Sequence, residues 1–188
     1  MMNFRTRARL WLVNVCRFLL SGVLLVSGFV KLADPMGMVY KLQAYATHWA
    51  LDVDDLWLRM TAVIIGIIEL QIGVYLLLGI RRRTSAWVTL LLMLSFLLLS
   101  IYLYIDGGIA DCGCFGAALD LSPGATLVKN VLLTLISVYV VMYPQRMRRL
   151  VTERNQGVAT VSVFAYGCVL SLYSLHYFAV AATTECTE

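Results

Sequence analysis

Two cysteines separated by a single glycine are the residues of this chain best suited to chemistry. Cys112 and Cys114 lie in the segment Asp-Cys-Gly-Cys-Phe-Gly at residues 111–116. Two thiols this close can bond to each other or act as an attacking and a resolving pair, and glycine permits the tight backbone that is required. A disulfide across so small a ring departs from relaxed geometry, and strained disulfides are reduced more easily. We therefore assign Cys112 and Cys114 the catalytic role in thiol–disulfide exchange.

The chain contains three further cysteines. Cys16 and Cys168 fall inside long apolar stretches, where a buried thiol behaves as a small apolar side chain. Cys186 lies close to the C-terminus. It is either a resolving or substrate-like partner for the catalytic pair, or a tail thiol that is unpaired or pairs between chains.

Metal binding is the alternative interpretation of the cysteine segment. Asp111, Cys112 and Cys114 would supply ligands, and His48 or His176 would complete the set. Zinc sites usually separate neighbouring cysteines by about two to four residues, and a single intervening residue is uncommon. We therefore predict no metal site.

The composition indicates a membrane protein. Of the 188 residues, 61% are hydrophobic and 14% are charged, whereas soluble domains are roughly 45–50% apolar and about 25% charged. A helix that spans the bilayer needs about 20 mostly apolar residues. The stretches that meet this requirement are residues 11–30, 57–79, 84–105, 125–143 and 158–181.

The charge pattern predicts the orientation of these spans. Eleven of the fifteen Lys and Arg residues lie at the start of the chain and in the second and fourth connections, and the acidic residues lie mostly elsewhere. Basic loops stay cytoplasmic, and short loops follow this rule best. The N-terminus is then cytoplasmic and the C-terminus external, in a bacterial inner membrane, with the cysteine segment on the outer face, where disulfides persist. The net charge of +4 reflects this topology and indicates no nucleic-acid partner.

The first connection contains a predicted short amphipathic helix. Apolar and aromatic side chains recur at helical spacing over residues 35–49, with polar residues between them. Asp34 would be the N-cap and Pro35 the first helical residue. We expect this helix to lie along the outer membrane interface.

Three polar residues are predicted to support the cysteines. Lys31 ends the first span, and Lys129 and Asn130 lie in the first turns of the fourth span, which Ser122 and Pro123 would cap. A cation beside a thiol lowers the pKa of that thiol and raises its thiolate fraction. The alternative is that both lysines extend to the lipid headgroups, as interfacial lysines commonly do.

An ionisable residue, Glu69, lies near the middle of the second span. A charge at this depth is costly, so it is usually paired or neutralised. Gly66 and Gly73 share its helical face, which predicts packing against another helix, whereas Gln71 lies on a different face. Glu69 is either a proton carrier or hydrogen-bond donor to a bound quinone, or a polar clasp between helices.

Several of these features occur together in one known family. The segment Ser-Gly-Phe-Val-Lys-Leu-Ala-Asp-Pro at 27–35 closes the first span, a glutamate marks the second, and the cysteine segment precedes a helix with Lys129 and Asn130. Over roughly residues 10–145, the chain resembles the DoxX-like membrane family, specifically the branch containing the methylamine-utilisation protein MauE. The resemblance implies a four-helix core similar in plan to the quinone-linked disulfide enzymes of the DsbB and vitamin K epoxide reductase groups. It also implies disulfide handling during the maturation of exported proteins, with quinone as the suggested cofactor. Those enzymes usually carry Cys-x-x-Cys, where this chain has Cys-Gly-Cys.

We therefore predict an all-α, polytopic membrane protein. A four-helix DoxX-like domain covers residues 1–145, and residues 146–188 supply a cytoplasmic basic loop, a fifth transmembrane helix and a short external tail. The first hypothesis for its function is thiol–disulfide exchange on exported proteins, with electrons passed to membrane quinone or another thiol protein. The second is a non-catalytic membrane subunit in which Cys112 and Cys114 form a structural bridge. The predicted partners are the lipid bilayer, an exported or periplasmic thiol protein, and other members of a membrane complex.

Overall fold

The chain forms six α-helices and two short 3-10 turns within the residues that the computed structural model describes, 4–106, 122–148, 150–151 and 153–185. The α-helices are α1 Phe4–Ala33, α2 Pro35–His48, α3 Asp55–Leu78, α4 Arg82–Asp106, α5 Pro123–Met142 and α6 Gln156–Glu185. The 3-10 turns, Pro144–Arg146 and Glu153–Asn155, lie between α5 and α6. The cysteine segment at 111–116 and Cys186 lie outside the described residues.

All of these helices except α2 are long and apolar enough to cross a membrane. Their candidate spans are Arg9–Ala33, Asp55–Leu78, Arg82–Ile105, Gly124–Met142 and Gln156–Tyr173. Each overlaps one of the apolar stretches predicted from the sequence, and each has about the length that the hydrocarbon layer requires. The protein is therefore an all-α, multi-pass membrane protein whose helices contact the lipid bilayer.

Glycines allow α1 and α3 to approach each other closely. A Cβ atom on Gly28 of α1 would lie 2.6 Å from the backbone nitrogen of Leu70 and 2.9 Å from the carbonyl oxygen of Gly66, both in α3. Gly73 likewise faces α1, where a Cβ atom would have a neighbour at 3.0 Å. Small residues of this kind let the backbones of membrane helices touch. The predicted packing of the α3 face that carries Gly66, Glu69 and Gly73 is confirmed.

An apolar core joins α1, α3, α4 and α5 and continues into the turn after α5. Lipid chains are as apolar as these side chains, so packing between membrane helices depends on van der Waals contact more than on escape from water. The buried members of this core are Val13, Leu20, Leu24, Ile72, Leu76, Ala86, Met93, Leu133, Val140 and Met147.

The short helix α2 begins as predicted. The Asp34 carboxylate accepts a hydrogen bond from the backbone N–H of Gly37 at 3.1 Å, and Pro35 is the first helical residue. Buried Met38 and Val39 pack against the first turns of α3. These contacts hold α2, which connects α1 to α3, against the bundle. The location of α2 at the outer membrane interface stays a prediction.

Arginines hold together the end of the bundle that contains the turn after α5 and lies opposite α2. We call it the basic end. Arg17 is fully buried, and its guanidinium donates hydrogen bonds to the carbonyls of Arg148 and of Leu77 near the end of α3. Carbonyl groups at a helix C-terminus carry partial negative charge, so they suit a cation. Arg82 donates to the carbonyl of Met147 at 2.8 Å. Arg17 is one of the basic residues near the start of the chain from which the orientation was predicted, and these contacts give it a structural role as well.

The last helix, α6, packs chiefly against α3. The Tyr75 hydroxyl donates to Thr160 Oγ1 at 3.0 Å, and Gln71 Nε2 donates to the Thr160 carbonyl at 3.4 Å. Gly167 faces α3, where a Cβ atom would lie 3.4 Å from Ile67. Gln71 thus lies on a different face of α3 from Glu69, as predicted, and α6 adds to the outside of the four-helix core.

Candidate functional site

A buried ion pair joins α1 to α3. Lys31 Nζ lies 2.8 Å from Glu69 Oε2, and the two side chains are 1% and 0% exposed. Ser27 lies one turn before Lys31 on the same helix. Its hydroxyl donates to the same carboxylate oxygen at 2.6 Å and accepts a hydrogen bond from Lys31 Nζ at 2.8 Å. The three groups bond to one another through charge-assisted hydrogen bonds, which are stronger than neutral ones.

This geometry bears on two expectations that the sequence left open. The alternative that Lys31 extends to the lipid headgroups is wrong, because its amino group is enclosed by the bundle and bound to Glu69. The interpretation of Glu69 as a polar clasp between helices is confirmed by the same contacts. Its role as a proton carrier or quinone ligand stays a prediction.

Helices α4 and α5 bring further polar groups to this region. Asn130 is 2% exposed, and its Nδ2 donates to Ser100 Oγ and to the Phe96 carbonyl. The Phe96 ring centroid lies 5.9 Å from Lys31 Nζ, within the range of a cation–π contact. Polar side chains from four helices therefore meet inside the bundle. We call them the buried polar cluster: Ser27, Lys31, Glu69, Ser100 and Asn130.

A small cavity of about 10 Å³ lies beside this cluster. Ser27, Lys129 and Asn130 line it, together with apolar side chains of α1, α4 and α5. A volume near 10–15 Å³ is about the minimum that holds one water molecule, so no quinone fits there. The structure thus brings the predicted Lys129 and Asn130 to the same cavity as Ser27.

Ser100 and Asn130, two members of the buried polar cluster, lie towards the end of the bundle to which the cysteine segment is attached. The stretch of chain from the end of α4 at Asp106 to the start of α5 at Pro123 contains that segment. Ser100 and Asn130 are six and seven residues inside these helix ends, or about 10 Å at roughly 1.5 Å per residue. Ser122 caps α5 as predicted, accepting a hydrogen bond from a backbone N–H of the first turn at 3.4 Å.

Two of the five cysteines lie within the described residues. Cys16 in α1 and Cys168 in α6 are free and partly buried, as expected for thiols inside apolar helices. The catalytic assignment of Cys112 and Cys114, and the suggested partnership with Cys186, fall outside the described residues and stay predictions.

Comparison with known proteins identifies the core of this bundle. The sequence matches the family model described as methylamine utilisation protein MauE over residues 9–143. The chain belongs to this family. The MauE match takes in α1 to α5 and ends where α5 ends, so α6 is an addition to the MauE region. No curated protein and no solved structure matches the chain.

Sequence reasoning missed two hydroxyl groups of this MauE-family site. Ser27 lies four residues before Lys31, and residues at this spacing share one helix face, so that signal was available. Ser100 gave no comparable signal, because a serine in an apolar helix commonly bonds the carbonyl four residues earlier, as Ser100 also does with Phe96. Only the packing of α4 on α5 shows that Ser100 also accepts a hydrogen bond from Asn130.

Replacing Asn130 with alanine should lower the free energy of unfolding by about 1 kcal/mol, because hydrogen bonds between membrane helices contribute roughly 0.6–1.7 kcal/mol. Unfolding in mixed detergent micelles would measure the change. Ser95→Ala is the matched control, since exposed Ser95 bonds the carbonyl of Leu91 in its own helix and no other group within the described part of the chain. Equal losses in the two variants would contradict an interhelical role for Asn130.

Proposed function

We propose that this MauE-family protein carries out thiol–disulfide exchange on exported proteins through Cys112 and Cys114. The observation that best supports the proposal is the buried polar cluster, which gathers groups from α1, α3, α4 and α5 and includes Ser100 and Asn130 near the two helix ends that flank the cysteine segment in sequence. Ionisable residues inside a membrane are rare and usually mark functional sites. The family description mentions methylamine utilisation, so we place the activity in the maturation of an exported protein of that process.

The exchange reaction needs two thiols that act in turn. A Cys112 thiolate attacks one sulfur of a partner disulfide, forming a mixed disulfide and releasing the other partner sulfur as a thiolate. The Cys114 thiolate then attacks Cys112, forming the Cys112–Cys114 disulfide and releasing the second partner thiolate. Two electrons pass to the partner, which is reduced, while the chain is oxidised. The same steps in reverse oxidise a partner dithiol.

We expect Lys129 to favour the thiolate. Lys129 lies partly buried two turns into α5, whose N-terminal end itself carries partial positive charge and leads directly from the cysteine segment. A neighbouring cation lowers the pKa of a thiol and increases its reactive fraction.

Repeated oxidation of partners requires an acceptor for two electrons. A quinone would become a hydroquinone by taking up two electrons and two protons, and a second thiol protein would accept the electrons at its own disulfide. Because the cavity beside the cluster is only about 10 Å³, a quinone would bind on a lipid-facing surface near the cysteines. Glu69, hydrogen-bonded to Ser27 and Lys31 at 2.6 and 2.8 Å, would be the proton carrier.

The proposal includes an orientation in the bacterial inner membrane. The basic end, where Arg17 and Arg82 bind the turn after α5, would face the cytoplasm, because basic connections stay inside. The cysteine segment and C-terminus would then be external, where an exported partner is accessible and disulfides persist.

Thiol trapping in intact cells tests the proposal. Cys114→Ser removes the resolving thiol, so it should accumulate a mixed disulfide between Cys112 and an exported protein that non-reducing electrophoresis resolves and mass spectrometry identifies. In the wild-type chain, Cys112 and Cys114 should alternate between oxidised and reduced states.

Serine variants of Cys16 and Cys168 are the matched controls, because both cysteines are free and lie inside helices. They should trap nothing and leave the redox cycle unchanged. A Cys112–Cys114 pair of constant redox state, with a double serine variant that affects only complex assembly, would favour the non-catalytic subunit instead. Unchanged cycling in Cys186→Ser would remove Cys186 from the mechanism.

A further inference from the structure

A groove at the basic end combines an apolar wall with a charged rim. It has a volume of about 600 Å³ and runs between the first turns of α1 and the turn after α5. Trp11, Val15 and Phe18 supply exposed apolar surface on the α1 side, and Arg146 and Arg148 supply the charged side. Among the residues that the structure describes, no acidic side chain lines this groove.

The charged side of the groove is held in place by α1. Asn14 Nδ2 donates to the Arg146 carbonyl at 3.4 Å, and the Arg148 backbone N–H donates to Asn14 Oδ1 at 3.1 Å. Buried Arg17 donates to the Arg148 carbonyl from the same helix. The backbone that carries both arginines is therefore fixed to α1, so the groove keeps its shape without a ligand.

Arg146 has hydrogen-bonding capacity that the described part of the chain does not use. Its guanidinium lies 4.9 Å from the centroid of the Tyr143 ring, which fixes the orientation of the side chain. Its Nη1 is buried and has no hydrogen-bond partner within the described residues. Arg146 is partly exposed and lines the groove, and a guanidinium is shaped to bind a phosphate through two parallel hydrogen bonds.

We propose that this groove binds an anionic phospholipid. The phosphate would accept hydrogen bonds from Arg146, Arg148 would add a second positive charge, and an acyl chain would lie along Val15 and Phe18. Basic pockets between membrane helices at the cytoplasmic side are suited to anionic headgroups.

The apolar wall selects a lipid over free phosphate as the occupant. Trp11 is 72% exposed at the start of the α1 span, a depth where Trp commonly anchors to the interface. Phe18 lies two turns deeper on the same helix and is also exposed. Free phosphate would use the arginines but would leave this apolar surface uncovered, whereas a phospholipid covers both.

Lipid binding to the purified full-length chain in detergent tests the proposal. After delipidation, native mass spectrometry would compare phosphatidylglycerol with phosphatidylcholine of identical acyl chains. We expect phosphatidylglycerol to bind more tightly, and Arg146→Gln to weaken that binding roughly tenfold, equivalent to about 1.4 kcal/mol. Phe18→Ala should weaken it as well, because the acyl contact is lost.

Arg154→Gln is the matched control, since Arg154 is exposed in the same connection but outside the groove. It should leave phosphatidylglycerol binding unchanged. If Arg146→Gln does not fold, Arg146→Lys replaces it and should weaken binding about threefold, because lysine keeps the charge and loses the planar fork. Equal binding of the two lipids, equal losses in the Arg146 and Arg154 variants, or complete displacement of the lipid by millimolar inorganic phosphate would overturn the proposal.

Discussion

Replacing Lys31 with methionine should lower the free energy of unfolding by about 3–5 kcal/mol, because removal of one partner of a buried ion pair leaves the other charge uncompensated. The Glu69 side chain is 0% exposed, and its Oε2 lies 2.8 Å from Lys31 Nζ. Unfolding in mixed detergent micelles would measure the loss. The double variant Lys31→Met, Glu69→Leu should recover most of it, because apolar replacement of both partners of a buried pair is often close to neutral.

The chain supplies a matched control for this experiment. Arg59 and Asp55 form an ion pair at 2.6 Å with side chains that are 41% and 57% exposed. Because exposed pairs contribute only about 0–1 kcal/mol, Arg59→Met should have a small effect. Equal losses in Lys31→Met and Arg59→Met would show that burial does not govern the Lys31–Glu69 pair.

Gly28→Ala should lower the free energy of unfolding by about 3 kcal/mol, at the upper end of the effects of overpacking. The added methyl group would lie 2.6 Å from Leu70 N and 2.9 Å from Gly66 O, which are backbone atoms of α3 and cannot rotate away. Separation of α1 from α3 would also lengthen the Lys31–Glu69 contact. The change is measured by unfolding, and loosening of the contact by hydrogen exchange in α1 and α3.

Gly22 on the same helix gives the control for Gly28. A Cβ atom at Gly22 has no neighbour within 4 Å. Gly22→Ala should therefore be neutral or slightly stabilising, since alanine favours a helix over glycine by up to about 1 kcal/mol. If the two alanine variants lose stability equally, contact with α3 is not the reason for glycine at position 28.

The sequence predicts the helices of this protein well because a membrane span is a local property of the chain. Apolar length alone gave the five spans, and Asp34 and Ser122, each followed by proline, gave the starts of α2 and α5. The contact face of α3 followed from Gly66 and Gly73, since glycines on one side of a membrane helix favour close packing.

The site was less predictable because its partners are distant in sequence. Lys31 and Glu69 are 38 residues apart, and their meeting depends on how α1 and α3 are rotated about their axes. The close contact at Gly28 is part of the packing that fixes this rotation. A lysine at the end of a span equally suits the lipid interface, so sequence alone could not choose between headgroup and carboxylate. The contacts of Arg17 could not be predicted either, because its partners are backbone carbonyls, which every residue has.

The contacts of Arg17 also have a consequence for the order of assembly. Leu77, whose carbonyl accepts one of its hydrogen bonds, is synthesised 60 residues after Arg17, and Arg148, which accepts another, 131 residues after it. During insertion, the charge within the first helix therefore has to stay hydrated or near the headgroups until later parts of the chain emerge. Final docking of the first helix at this end thus waits for the fourth span, so the beginning of the polypeptide is among the last parts to reach its native contacts.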